Sequence, residues 1–93
     1  QEGYDLGTER GNSWATTLRN SKGNIAAEKA CRRAAMDRLN ECDTQYDEIK
    51  SRYNDLLSNG SYTPKELEGM QPAIQTRKGV YDGLRDTLKK AGF

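Results

Sequence analysis

Cys31 and Cys42 carry the most reactive side chains of this 93-residue chain. A nucleophilic thiolate needs a base or a cation beside it, and histidine, the commonest base, is absent from the sequence. The two cysteines also lack the Cys-x-x-Cys spacing of redox motifs, and two thiols do not complete a tetrahedral zinc site. Acidic pairs such as Asp43 and Asp47 lie in a highly charged segment, which favours a solvated helix surface. We therefore expect a non-enzymatic protein with no catalytic residues, no metal site and no cofactor.

The two cysteines are instead disulfide candidates, with three arrangements open. On one continuous helix, Cys31 and Cys42 would share a face but lie roughly 16 Å apart, which is beyond the reach of a disulfide. They can therefore cross-link two chains, form an internal bridge across a helix break near residues 37–40, or remain free thiols in the core. A disulfide of either kind is typical of an oxidising compartment.

The charge pattern around the cysteines favours pairing of two copies. Residues 22–38 hold five basic and two acidic side chains, a net charge of +3, whereas residues 41–57 hold two basic and five acidic ones, a net charge of −3. Two antiparallel copies of this segment would bring opposite charges together, with Cys31 of each copy beside Cys42 of the other. Surface ion pairs are individually weak, so the pattern indicates how two copies would be oriented and not how tightly they would bind.

Apolar side chains recur at intervals of three and four residues in two segments, which is the spacing of α-helices. The first segment follows Asn24, a suitable N-cap, and contains no glycine or proline before Gly60. Its stripe consists of Leu39, Cys42, Tyr46, Ile49, Tyr53 and Leu56. The second stripe consists of Leu67, Met70, Ile74, Arg77, Tyr81, Leu84 and Leu88. The sequence predicts an all-α fold in which helices over about residues 24–58 and 64–91 pair as an antiparallel hairpin.

Local signals refine the second helix. Residues 63–66 form a capping-box pattern with proline at the first helical position. Pro72 is expected to kink or split this helix, because proline donates no backbone hydrogen bond and its ring crowds the preceding turn. Gly79 and Gly83 predict close helix packing, and the antiparallel pairing places Gly79 near Cys42.

Residues 1–23 form an N-terminal arm ahead of the hairpin, which is a single domain over residues 24–93. Four glycines punctuate the arm and predict irregular structure, apart from a short helix capped by Ser13. Aromatic and apolar side chains of the arm are the candidates for contact with a partner protein. These candidates are Trp14, Tyr4 and Leu18. Docking of Trp14 onto the chain's own helices and full disorder of the arm are the alternatives.

The composition limits the class of protein. Only 33% of the residues are hydrophobic, and two helices cannot enclose a core, so the arm, a second copy or a larger assembly should cover the apolar stripe. Of these, we expect oligomerisation to complete the hairpin. A net charge of +1 argues against a nucleic-acid partner, and no apolar run reaches the roughly 18 residues of a membrane span. The expected partner is a protein, with a second copy of the chain as one candidate.

These observations predict a small exported protein that acts as a structural or assembly subunit through protein–protein contacts. A soluble binding, inhibitor or immunity-type protein that blocks one partner is the alternative. The first residue is Gln1 rather than Met, and two cysteines suit a disulfide, so we expect a secreted, periplasmic, virion or cell-surface location. A cytoplasmic protein with two reduced thiols is the alternative.

Overall fold

The fold consists of three α-helices. The computed structural model describes residues 2–93, in which α1 spans Glu2–Asn20, α2 spans Ile25–Ser58 and α3 spans Gln71–Lys90. One turn of 3₁₀-helix, Glu68–Met70, precedes α3, and no strand occurs between residues 2 and 93. The all-α prediction is confirmed.

Helix α2 begins and ends close to its predicted limits. The Asn24 side chain accepts a hydrogen bond from the Ala27 N–H at 3.1 Å, which caps the first turn. The helix then runs without a break to Ser58, and Gly60 terminates it with a positive φ of 74°. At 1.5 Å per residue, its 34 residues give a length of about 50 Å.

Helix α3 lies antiparallel to α2, as the hairpin prediction requires. The Arg77 side chain donates to the Gln45 carbonyl oxygen at 3.3 Å, and Arg32 donates to the Gly92 carbonyl oxygen at 2.7 Å. A core of buried residues lies along this contact. It contains Ala35, Leu39, Cys42, Val80, Leu84 and Leu88, with Trp14, Tyr81 and Phe93 packed against it.

The chain before α3 differs from the helix predicted over residues 64–70. The Thr63 hydroxyl accepts from the Glu66 N–H at 3.2 Å and the Glu66 carboxylate accepts from the Thr63 N–H at 3.0 Å, so the predicted capping box is present. A turn and the 3₁₀-helix follow it, and α3 starts only at Gln71. Pro72 stands in the first turn of α3, where its missing N–H loses no hydrogen bond. The structure therefore has a break before Pro72, but a turn and one turn of 3₁₀-helix stand in place of the predicted short helix.

The N-terminal segment is a helix and not the irregular arm predicted for residues 1–23. That prediction is wrong for residues 2–20, which form α1, and Gln1 lies outside the described residues. Glycines at positions 3, 7 and 11 are one turn apart and form a single side of α1, which Ala15 continues. This side is buried, and its packing against α3 offsets the low helix propensity of glycine.

Helix α1 runs parallel to α3, and glycine brings the two backbones into contact. Facing residues advance together along both helices. These pairs are Gly3 with Thr76, Gly7 with Val80, and Gly11 with Thr87. A Cβ atom placed on Gly79 would lie 2.8 Å from the Tyr4 nitrogen, and one on Gly83 would lie 2.9 Å from the Thr8 nitrogen. Any side chain at these positions would therefore force the helices apart.

The glycine side of α3 faces α1, whereas the sequence predicts that it faces α2 near Cys42. Helix α3 makes the main contacts with both α1 and α2, so it is the central helix of the fold. The molecule extends over 57 × 22 × 13 Å, which is the shape of an elongated three-helix layer.

Candidate partner-binding surface

Helix α1 covers only part of the hairpin formed by α2 and α3. Its first turn lies against Thr76, so none of the described helices covers the end of the hairpin that contains residues 46–58 and 67–75. We call this end the distal hairpin. The apolar stripe of α2 is buried at Leu39 and Cys42 but only half-buried in the distal hairpin. Its half-buried residues are Tyr46, Ile49, Tyr53 and Leu56.

A groove of about 430 Å³ runs between α2 and α3 in the distal hairpin. The residues that line and define this distal groove are Glu48, Ile49, Arg52, Leu56, Met70 and Arg77. The three apolar residues are half-buried and form its floor, whereas the three charged residues are exposed at its rims. The rim side chains form no ion pair within residues 2–93. An apolar floor with charged rims is typical of a surface that receives another helix.

The distal groove lies in line with a depression between α1 and α2, and we call the path through both the groove line. There, Arg10 and Trp14 of α1 and Arg38 of α2 line a depression of about 190 Å³. Ile49 follows Arg38 by eleven residues, about three helical turns, so both residues lie on the same side of α2. The distal groove is thus the part of this hairpin surface that lies beyond the start of α1.

The predicted partner-contact residues dock α1 onto its own chain. The Tyr4 hydroxyl donates a hydrogen bond to Asp86 Oδ2 at 3.1 Å. Trp14 is half-buried against the core, which matches the alternative of docking onto the chain's own helices, and Leu18 is also half-buried. None of the three lines the distal groove, and their contact with a partner stays a prediction.

Cys31 and Cys42 are free thiols, with only 6% and 5% of their surfaces exposed. Helix α2 continues through residues 37–40, so the internal bridge that needs a break there is not formed. The Cys31 thiol lies 3.9 Å from the Trp14 carbonyl oxygen, and a cross-link between chains would have to unpack it. Within a single chain both disulfide candidates are unpaired, buried thiols, and a cross-link between two chains stays a prediction.

One charged cluster fastens α1 to α3. Asp86 accepts from the Tyr4 hydroxyl through one carboxylate oxygen and from the Arg85 guanidinium, at 3.1 Å, through the other. The hydrogen bond from Tyr4, followed by that from Arg85, lowers the pKa of the Asp86 carboxyl below its ordinary value. The same bond to Asp86 raises the pKa of the Tyr4 hydroxyl, because an ionised phenol cannot donate it.

Replacing Tyr4 with phenylalanine should lower thermal stability most near neutral pH. Because the pKa of Asp86 is lowered in the folded state, its hydrogen bond with Tyr4 contributes fully to stability above the unfolded-state pKa, near pH 4. This contribution is lost as the pH falls through the folded-state pKa of Asp86. Because the pKa of Tyr4 is raised in the folded state, the same hydrogen bond contributes fully to stability below about pH 10. This contribution is lost as the pH rises through the folded-state pKa of Tyr4. Thermal midpoints of both proteins, measured from about pH 2 to about pH 11, check this. A difference that is equal at every pH would contradict it.

No group of three or more cysteine, histidine or acidic side chains in the described part of the chain is arranged to hold a metal ion. The helices within residues 2–93 contain no stretch whose length and hydropathy would suit a transmembrane segment. A scan against protein-family models gave no match, and searches of curated proteins and of solved structures gave none either. The distal groove is the feature from which a function can be proposed.

Proposed function

We propose that this chain is a non-enzymatic assembly subunit that binds another protein through the distal groove. The observation that carries the proposal is the half-buried apolar floor of Ile49, Leu56 and Met70, which lies beyond the start of α1. Removing apolar surface from water is favourable by about 25 cal/mol per Å². A helix of a partner, laid in line with α1, would cover this floor as α1 covers the rest of the hairpin.

The charges around the groove suit a protein partner. Arg52 and Arg77 flank the apolar floor, and arginine is enriched at protein interfaces because its planar guanidinium both donates hydrogen bonds and stacks. A net charge of +1 gives the chain no broad positive field of the kind that nucleic-acid binding requires.

A soluble protein that blocks one partner is the second candidate function. The groove of about 430 Å³ lies on one side of the chain and offers a single binding site, which favours this alternative. The two functions differ in stoichiometry. An assembly subunit forms larger species as its concentration rises, whereas a blocking protein stays monomeric until it captures its partner.

An exported location remains part of the proposal, with the cytoplasm as the alternative. Secretion, the periplasm, a virion or the cell surface would each suit an assembly subunit. Two free, buried thiols are compatible with an oxidising or a reducing compartment, because burial protects them from exchange. Fractionation of the source cells, followed by detection of the chain, decides between these locations.

A photo-reactive amino acid at position 52 tests the proposed function. Arg52 is exposed on the groove rim, so this residue should give a discrete covalent adduct with a protein in the cells that make the chain. Arg33 is exposed on α2 outside the groove and provides the matched control, at which little adduct is expected. Mass spectrometry then identifies the partner. No adduct from position 52, or equal adducts from both positions, would contradict the proposal.

A further inference from the structure

We infer that the occupant of the distal groove is α1 of a second copy of this chain, in a reciprocal two-fold dimer. This inference rests on the proposed function, because it names the partner of the same groove. In the dimer, Leu6 of each copy lies on the apolar floor of the other copy's groove.

Leu6 is an apolar residue of α1 that remains 39% exposed. It lies one turn before Arg10, which lines the depression between α1 and α2, so Leu6 lies on the side of α1 that borders the groove line. Glu2 and Glu9 lie one turn from Leu6 in either direction. We call Glu2, Leu6, Glu9 and Arg10 the α1 stripe. Its charged side chains form no ion pair within residues 2–93.

The charges of the α1 stripe are the inverse of those around the distal groove. The stripe carries two acidic side chains and one basic one around an apolar residue. The groove carries two basic side chains, Arg52 and Arg77, and one acidic one, Glu48, around an apolar floor. All six charged residues are exposed. Such complementarity fixes the orientation of two partners and disfavours other orientations.

The two surfaces adjoin, so one two-fold axis can satisfy both contacts. The first turn of α1 lies against Thr76, and the next residue along α3, Arg77, stands on the groove rim. A two-fold axis between stripe and groove lays α1 of the second copy antiparallel to α1 of the first. The pairing then sets Glu2 of one copy beside Arg77 of the other, and Glu9 beside Arg52.

This dimer differs from the one that the charges of residues 22–57 predict, in which Cys31 of each copy faces Cys42 of the other. Both thiols are buried within one chain, so that arrangement would require the helices to separate. The contact between stripe and groove uses side chains that are exposed or half-buried, and it leaves the core of each copy intact.

Sedimentation equilibrium of the complete chain, from micromolar to millimolar concentration, tests the inference. We expect a monomer–dimer equilibrium that Arg52→Glu weakens about tenfold, because the new carboxylate would repel Glu9 of the other copy. Glu9→Arg should weaken dimerisation similarly, and the double reversal Glu9→Arg/Arg52→Glu should restore it. Arg33→Glu makes the same change of charge on α2 outside the groove, and it should leave dimerisation within about twofold of the parent.

A chain that stays monomeric at millimolar concentration would overturn the inference. Equal weakening by Arg33→Glu, or a double reversal that restores nothing in a folded protein, would overturn it as well. A photo-adduct from position 52 with a different protein, together with a monomeric chain, would overturn the inference and leave the proposed function standing.

Discussion

Replacing Gly83 with alanine is expected to release α1 from α3 and to lower the free energy of unfolding by about 2 kcal/mol. The added Cβ atom would overlap the Tyr4 carbonyl oxygen and lie 2.9 Å from the Thr8 nitrogen. Both are backbone atoms and cannot rotate away, so the two helices must separate. Because the clash is with backbone atoms, overpacking should cost about 3 kcal/mol, the upper end of its usual range, against about 1 kcal/mol that alanine gains over glycine within a helix.

Gly69→Ala is the matched control for this substitution. A Cβ atom on Gly69 meets no atom within 4 Å, so the change should alter stability by no more than about 0.5 kcal/mol. Urea midpoints, followed by circular dichroism and by the fluorescence of Trp14, measure both variants. A Gly83→Ala protein as stable as its parent would show that α1 does not pack on α3 in this register.

Truncation of Leu84 to alanine should lower the free energy of unfolding by about 3 kcal/mol. Leu84 is only 1% exposed, and it belongs to the core cluster that joins α2 to α3. It also lines the depression beside Trp14, so its side chain borders all three helices. The loss combines the transfer of buried methyl groups with the cavity left behind, and domains are stable by only about 5–15 kcal/mol.

Ile25→Ala provides the comparison for Leu84→Ala, because the two changes remove similar numbers of carbon atoms. Ile25 is 83% exposed, so its truncation should change stability by about 0.5 kcal/mol or less. Guanidinium unfolding of the three proteins gives the two differences. Equal losses at positions 25 and 84 would contradict the placement of Leu84 at the meeting point of the helices.

The hairpin could be predicted because the apolar spacing from Leu39 to Leu56 fits an α-helix and not a strand. The formation of α1, in contrast, depends on its packing against α3. By intrinsic propensity, a segment with glycine at positions 3, 7 and 11 is a poor helix, and the sequence prediction followed propensity. The missed signal is the spacing itself. These glycines recur every fourth residue, as Gly79 and Gly83 do in α3. The glycine-containing sides of α1 and α3 can therefore pack closely against each other.

The distal groove could not be predicted from spacing, because it depends on where α1 starts relative to α3. Ile49 and Leu56 belong to the same stripe as Leu39, and periodicity alone assigns all three to the hairpin core. Only the register that places the first turn of α1 against Thr76 leaves the two distal residues half-buried. An internal disulfide could not be decided from spacing either, since it depends on whether α2 breaks near residues 37–40.

The central claim is that α1 covers part of the hairpin, whereas another copy of the chain covers the distal groove. Residue-resolved amide hydrogen exchange at micromolar and at millimolar chain concentration tests this claim most directly. Protection reports the free energy of local opening, which rises where a partner covers a helix. We predict that residues 7–18 of α1 are protected at both concentrations and that residues 46–56 of α2 gain protection at the higher one. Exchange of residues 7–18 at the rate of an unstructured peptide, or protection of residues 46–56 that does not change with concentration, would contradict this arrangement.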